Sequence, residues 1–328
     1  MSPRPLSHPM RARTLALLCF LVLAAAALIA VPLRQAVHGL AATGPAPTVD
    51  ASTPASEPTG SANVAPQAAP APPDLALPAD PSAITAPGTN FFGWTLIDRR
   101  TGKSAGSANA EKVTSTTESM IKAWIAADYL RRQTAKPSAN TLAQLTTMII
   151  DSDNNIATTY YRLNGGDPSI SDLIKLCGLK NTNLPSPANE WSYTTMSPAD
   201  AARMGLCIAN GTAAGPQWTD WLLDTMKHVR GTVDQQQQST GGGRWGIIDG
   251  LPANLVAGTS IKNGWTPQVY DHNWHINCLA INANWVLAIE LHYPWTSPNG
   301  DWHQANNLQQ GADTCASVTR QLVATPSA

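Results

Sequence analysis

A serine and a lysine three positions apart, Ser119 and Lys122, open a helix-like stretch at residues 119–132. On a helix that spacing puts both side chains on one face. A serine hydroxyl is a poor nucleophile until a base takes its proton. A lysine at a helix N-terminus, where the macrodipole disfavours positive charge and burial depresses the pKa, can be that base near neutral pH. The free Ser119 amide can form one arm of an oxyanion hole. A second cluster follows at Ser152-Asp153-Asn154. There Ser152 can relay a proton to a leaving group, Asn154 can exchange hydrogen bonds with a substrate amide, and Asp153 can brace the loop. A third, Lys262-Asn263-Gly264-Trp265, sits in a β-branched, glycine-punctuated strand. Its glycine allows close backbone approach, Lys262 offers positive charge to an anionic substrate terminus, and the Trp265 amide can be the second oxyanion donor.

Each cluster alone has an ordinary explanation. Ser-x-x-Lys is common on helices, Asp-Ser-Asp-Asn-Asn is good helix-ending turn chemistry, and the third reads as an edge strand. The weight lies in the three occurring together and in order.

The elements that must position them follow from periodicity. Residues 91–97 read as a strand, followed by the turn Asp98-Arg99-Arg100-Thr101-Gly102 and a second short strand. Helical patterns run over 119–132, 142–150, 156–163, 170–176, 198–208 and 218–229. Strands then return at 258–264, 274–282 and 285–292, and a closing helix covers about 304–323. This order predicts an α+β domain: an antiparallel sheet built from N- and C-terminal strands, with an inserted helical subdomain and a ligand cleft between them.

With the trio in that setting, the region 91–324 resembles the class A β-lactamase and penicillin-binding serine hydrolase superfamily. The resemblance implies the β-lactamase/transpeptidase-like fold, an acyl-enzyme at Ser119, Lys122 as base, and Ser152, Asp153 and Asn154 as the second motif. Residues 93–102 and the run Thr194-Thr195-Met196-Ser197-Pro198 also match the family's pattern. There are three departures. Asn263 replaces the usual hydroxyl residue of the third motif, so carboxylate recognition there depends on a different hydrogen-bond geometry. The first two motifs are closer than in class A enzymes, which implies a reduced α-helical subdomain. The loop before Thr194 is short, and the only acid between Cys177 and Thr194 is Glu190, poorly placed in spacing and context. The deacylating glutamate of class A enzymes is therefore expected to be absent, which argues against a proficient β-lactamase.

The rest of the chain sets the compartment. Arg4, Arg11 and Arg13 precede an apolar run at 14–33, the pattern of an export signal. The run is just long enough to span a bilayer, which favours a signal anchor over a cleaved signal peptide; small residues at 24–27 and 41–42 leave cleavage open. Cys19 follows leucines rather than small residues, which argues against lipid modification. Residues 1–40 are thus read as signal or anchor, 41–88 as a disordered linker rich in Pro and Ala, and 89–324 as the hydrolase domain. The four remaining cysteines suit disulfides in an exported domain, with Cys177–Cys207 and Cys278–Cys315 the pairing suggested by nearness in sequence.

A net charge of −1 leaves no footprint for nucleic acid. No cofactor is called for. Asp271, His272, His275 and His292 are spaced too unevenly to favour a metal. Gly102-Lys103-Ser104-Ala105-Gly106 matches a nucleophile-elbow pattern but lacks the strand-then-helix context. The expectation is an exported serine hydrolase, membrane-anchored or secreted. It would act on a peptide, amide or ester in the cell envelope, cell-wall fragments and β-lactams among them. The alternatives are a catalytically impaired envelope-binding protein and a weak β-lactamase.

Overall fold

The computed structural model describes residues 73–238 and 242–324. The apolar run at 14–33 and most of the proline-rich segment lie outside them. No described helix is long and apolar enough to cross a membrane.

A five-stranded antiparallel sheet has the order β3-β2-β9-β8-β7. Its strands are β2 (Phe91–Asp98), β3 (Ser104–Gly106), β7 (Ser260–Gln268), β8 (Asn273–Ile281) and β9 (Trp285–Pro294). The N-terminal hairpin thus joins the C-terminal meander through β2 and β9, paired from Phe91↔His292 to Asp98↔Trp285. Strand β9 is buried along almost its whole length, as expected of a central strand covered on both faces. Helix α5 (Pro198–Ala209) covers one face, where a Cβ on Gly205 would strike Val286 and Leu279. Helix α10 (Leu308–Gln321) covers the other, where Gly311 meets Ile276 and Tyr293. The Cys278–Cys315 disulfide ties β8 to α10, and Cys177–Cys207 ties α4 (Asp167–Cys177) to α5.

The helical block is centred on α1 (Lys122–Arg131), packed by α2 (Ala139–Ile150), α3 (Asn154–Leu163), α4, α5 and α6 (Pro216–Lys227). Helix α1 is buried nearly all round, from Lys122 through Asp128 and again at Leu130. Short helices α7 (Val233–Gln238), α8 (Ile247–Gly250) and α9 (Ala253–Val256) lead back to the sheet.

The structure adjusts several expectations. The α1 region starts with a 3-10 turn, Glu118–Ile121, before the α-helix begins at Lys122. Strand β7 runs past Gly264 to Gln268, because Thr266 and Gln268 continue its alternation against β8. The segment expected to be linker up to residue 88 is structured from Asp74. There β1 (Asp74–Leu75) pairs with β10 (Val323–Ala324), with Leu75 and Ile84 buried. Those isolated apolar residues in a proline-rich run were too sparse to read as strand. A small sheet of β4 (Ser115–Thr116), β6 (Thr195–Met196) and β5 (Thr182–Asn183) was also not expected. It fixes the nucleophile turn against the loop that precedes α5.

Candidate active site

Three separate elements bring the first two clusters together. The Lys122 Nζ lies 2.9 Å from the Ser119 Oγ, 3.1 Å from the Ser152 Oγ and 2.6 Å from the Asn154 Oδ1, and it also contacts the Ser152 carbonyl oxygen. Ser119 is partly exposed while Lys122 is fully buried. Solvent therefore reaches Ser119 and not the amine beside it. Ser152 links helices α2 and α3 with a φ of +56°, a left-handed conformation that a non-glycine residue holds only when its surroundings demand it. That backbone turns both its carbonyl and its hydroxyl onto Lys122. Asp153 caps α3 by accepting from the Ile156 amide at 2.8 Å, which sets the start of the helix that carries Asn154.

The third cluster arrives on β7, the edge strand. Lys262 Nζ donates to the Ser152 Oγ at 3.0 Å and to the Asn263 carbonyl at 3.0 Å. Ser152 thus sits between two amines. Gly264 abuts the nucleophile turn: a Cβ there would lie 2.5 Å from the Thr117 carbonyl, 2.7 Å from the Met120 amide and 2.8 Å from the Ser119 amide. Only glycine lets the strand come this close. Trp265 follows, its ring edge-on to Trp245 at 5.7 Å. The Asn263 amide donates to the Gly243 and Trp245 carbonyls, both at 2.8 Å, and the residue is buried. Alternation along β7 turns it away from Lys262 and Gly264. It holds the strand against the loop before α8.

Electrostatics favour a neutral amine at Lys122. Burial and then the neighbouring Lys262 push it well below the usual lysine range, against smaller opposing effects of Asp153 and Glu118. Four oxygens surround the nitrogen. A neutral amine donates two hydrogens and accepts one, so it can donate to the Ser152 carbonyl and Asn154 and accept from the Ser119 hydroxyl. That is the arrangement a general base requires. Burial pushes Lys262 down to about 7.

The loop before β6 carries no acid in the site. Glu190 is exposed. The residue beside Lys122 is Trp191, whose ring centroid lies 5.0 Å from the Nζ and whose indole N–H donates to Thr158 at 3.1 Å. An apolar ring therefore covers the amine on that side.

Sequence reasoning missed Glu118. It precedes the nucleophile with a φ of +49° and is buried. Thr116 at 2.7 Å, Thr266 at 2.6 Å and Gln268 at 2.8 Å all contact its carboxyl. The usable signal was the period-two row Lys262, Gly264, Thr266, Gln268 on one face of β7. Behind Thr116, His275 lies 2.8 Å from the Thr116 hydroxyl and 2.8 Å from Asp271. Asp271, His275 and His292 are close enough to share an ion. However, the two imidazoles stack at 3.6 Å and 14°, so their in-plane lone pairs run side by side instead of converging. Ser104, in the discounted elbow pattern, lies in β3 and pairs with Ile97.

A family model described as the beta-lactamase enzyme family matches residues 132–232, which includes the second cluster. LppW of Mycobacterium tuberculosis, provisionally named a lipoprotein, is 27% identical over 208 residues, 61% of this chain. The chain spans 62% of that relative's length. Among solved structures, a class A beta-lactamase from Mycobacterium abscessus superposes with a TM-score of 0.52 at 15% identity, over 73% of this chain and 95% of that one. PBP-A superposes at 0.50 and 18% identity, over 73% and 91%. The fold is that of the class A β-lactamases, and the expected resemblance to β-lactamase-like serine hydrolases holds.

Proposed function

We propose that this β-lactamase-like chain is an exported serine hydrolase that forms an acyl-enzyme at Ser119 on a peptide, amide or ester of the cell envelope. The observation that carries the reading is the hydroxyl of partly exposed Ser119, 2.9 Å from a buried lysine whose charge is disfavoured. Lys122 takes the Ser119 proton as the oxygen attacks the carbonyl carbon. The Ser119 and Trp265 amides stabilise the resulting oxyanion. Ser152, between Lys122 and Lys262, passes a proton to the leaving group. Asn154 and Lys262 hold the substrate, and Lys262 favours an anionic terminus. Asn263 has no part in this contact. Release of the acyl group is slow, because the loop before β6 sets Trp191, and not its one acid Glu190, beside the amine. That supports acylation over efficient β-lactam turnover.

Incubation with a β-lactam and, separately, a fluorophosphonate, followed by intact-mass measurement, tests the reading. One adduct per chain is expected, absent in Ser119→Ala. An unlabelled wild type, or an adduct that survives in Ser119→Ala, refutes it.

A second reading is a catalytically impaired envelope-binding protein with the same fold. The inward turn of Asn263 favours it, because that side chain is unavailable to a substrate carboxylate. In that case Ser119→Ala and Lys122→Ala would retain cellular function. Export, with the N-terminal segment as tether or as cleaved signal, is part of the proposal on either reading.

A further inference from the structure

Helix α3 carries three contacts on one stripe. Asn154, Thr158 and Tyr161 stand at i, i+4 and i+7, so they share a face. Asn154 meets the Lys122 amine at 2.6 Å, and Thr158 accepts the Trp191 indole N–H at 3.1 Å. The Tyr161 hydroxyl donates to the Asp167 Oδ1 at 2.7 Å. Asp167 also accepts the Asn189 amide, at 2.9 Å on Oδ1 and 3.2 Å on Oδ2. Asn189 lies two residues before Trp191, in the loop between β5 and β6. We infer that Asp167 is a positioning residue: it latches this loop to α3 and α4 and so keeps Trp191 over Lys122, as a gate between water and the acyl group on Ser119. The catalytic consequence rests on the acyl-transfer reading above, and the latch itself does not.

Residues 183–190 are exposed apart from Pro185, so burial does little to hold the stretch. Asn189 has a φ of +66°, a conformation that a non-glycine residue keeps only when its surroundings impose it. The Asp167 carboxylate supplies that constraint by capturing the amide. Gly166 completes the seat: it is buried, and a Cβ on it would lie 2.8 Å from the Asn189 Oδ1. Asp167 stands in the first turn of α4, where the macrodipole favours negative charge. Burial, and then the hydrogen bond to Asp167, push the Tyr161 hydroxyl above the ordinary tyrosine range, so it stays a donor. Both groups facing the carboxylate thus bring hydrogens to it. Only the exposed Glu190 separates Asn189 from the buried Trp191, so release of the latch reaches the ring within two residues.

Trp191 covers an amine whose basicity depends on that cover. Burial is the largest effect lowering Lys122. Lys262 on β7 adds to it, and Asp153 before α3 and Glu118 before Ser119 oppose it. Releasing the loop hydrates the amine and raises its pKa, so the neutral base forms only at higher pH. It also admits water to the acyl ester.

The test uses the full chain with Asp167→Ala, Asn189→Pro and Asn189→Gly. Alanine removes the acceptor. Proline removes the N–H and cannot adopt the positive φ. Glycine keeps the N–H and adopts that φ freely. Amide hydrogen exchange over 184–194 is expected at least about tenfold faster in Asp167→Ala and Asn189→Pro, the scale of one lost hydrogen bond to a charged group, and unchanged in Asn189→Gly. Exchange as slow in Asp167→Ala as in wild type overturns the latch. In the labelling assay, the same two variants are expected to move the rise with pH upward by about half a unit or more and to lose a β-lactam adduct about threefold faster. Faster loop exchange with an unmoved pH profile and adduct lifetime overturns the gate. A labelling rate lowered equally at every pH marks general loosening and overturns it too. A wild type that takes no label defeats the hydrolase reading and leaves loop exchange to decide the latch.

Discussion

Gly264 packs against the amide of Ser119 so closely that a Cβ on it would lie 2.8 Å from that nitrogen. Strand and nucleophile turn therefore meet backbone to backbone. Gly264→Ala forces β7 outward, because two of the three clashing atoms belong to the turn that holds Ser119. Labelling is expected to fall by about 10²-fold or more, with a stability loss of about 1–3 kcal/mol. Probe labelling and denaturant unfolding of the same variant separate the two effects.

The short distance between Ser119 and Lys122 makes the base assignment testable. Lys122→Ala is expected to lower the acylation rate by about 10²–10⁴-fold, the usual contribution of a general base, while the fold survives. Stopped-flow labelling with a fluorophosphonate measures it. A loss of less than threefold would assign the proton transfer elsewhere.

The two lysines give opposite limbs to the pH profile. Lys122 is active when neutral, and its lowered pKa brings that form into the range below that of an ordinary lysine. Labelling therefore rises with pH as its proton leaves. Lys262 titrates at about 7 and loses its charge above that pH. A carboxylate-bearing probe is expected to lose affinity above about pH 7, and an uncharged one is not. The same shift bears on stability. Between about 7 and the ordinary lysine range the unfolded chain holds the Lys262 proton and the folded chain does not, so stability rises with pH across that window. Lys262→Met should flatten that rise in chemical denaturation, by up to about 1.4 kcal/mol per pH unit.

Trp191 stands beside the base where an acid would be needed to activate water. Trp191→Glu is expected to shorten the lifetime of a β-lactam adduct by about tenfold or more, a conservative share of a general base's effect. The time course of adduct loss by intact mass measures this. An unchanged lifetime would mean that the indole does not limit access of water to the ester.

Asn263 is held by two backbone carbonyls, so its removal should act on stability. Asn263→Ala removes two hydrogen bonds from buried surroundings, although the Gly243 carbonyl still accepts from the Trp245 amide, and is expected to cost about 1–3 kcal/mol. Competition between anionic and neutral probes should be little altered. A selective loss of the anionic probe would return Asn263 to the substrate face.

The sequence by itself determined the residue types and the local periods. Ser119 and Lys122 three apart at a helix start, and the alternation of β7, β8 and β9, were readable because local backbone geometry fixes which side chains share a face. The order of strands and helices was enough to predict a sheet closed by its two ends, and the two disulfides follow the pairing suggested by chain proximity. Tertiary structure decided the rest. The motif position of Asn263 does not by itself say which face of β7 carries its side chain. The strand's partners settled that, placing Lys262 and Gly264 toward Ser119 and Asn263 toward the Gly243 carbonyl. Glu118 had no periodic signal of its own. Its hydrogen bonds span from Thr116 to Gln268, and such partners come together only when separated strands pack. Trp191 beside Lys122 is also a long-range contact, made by a loop whose path no local pattern specifies.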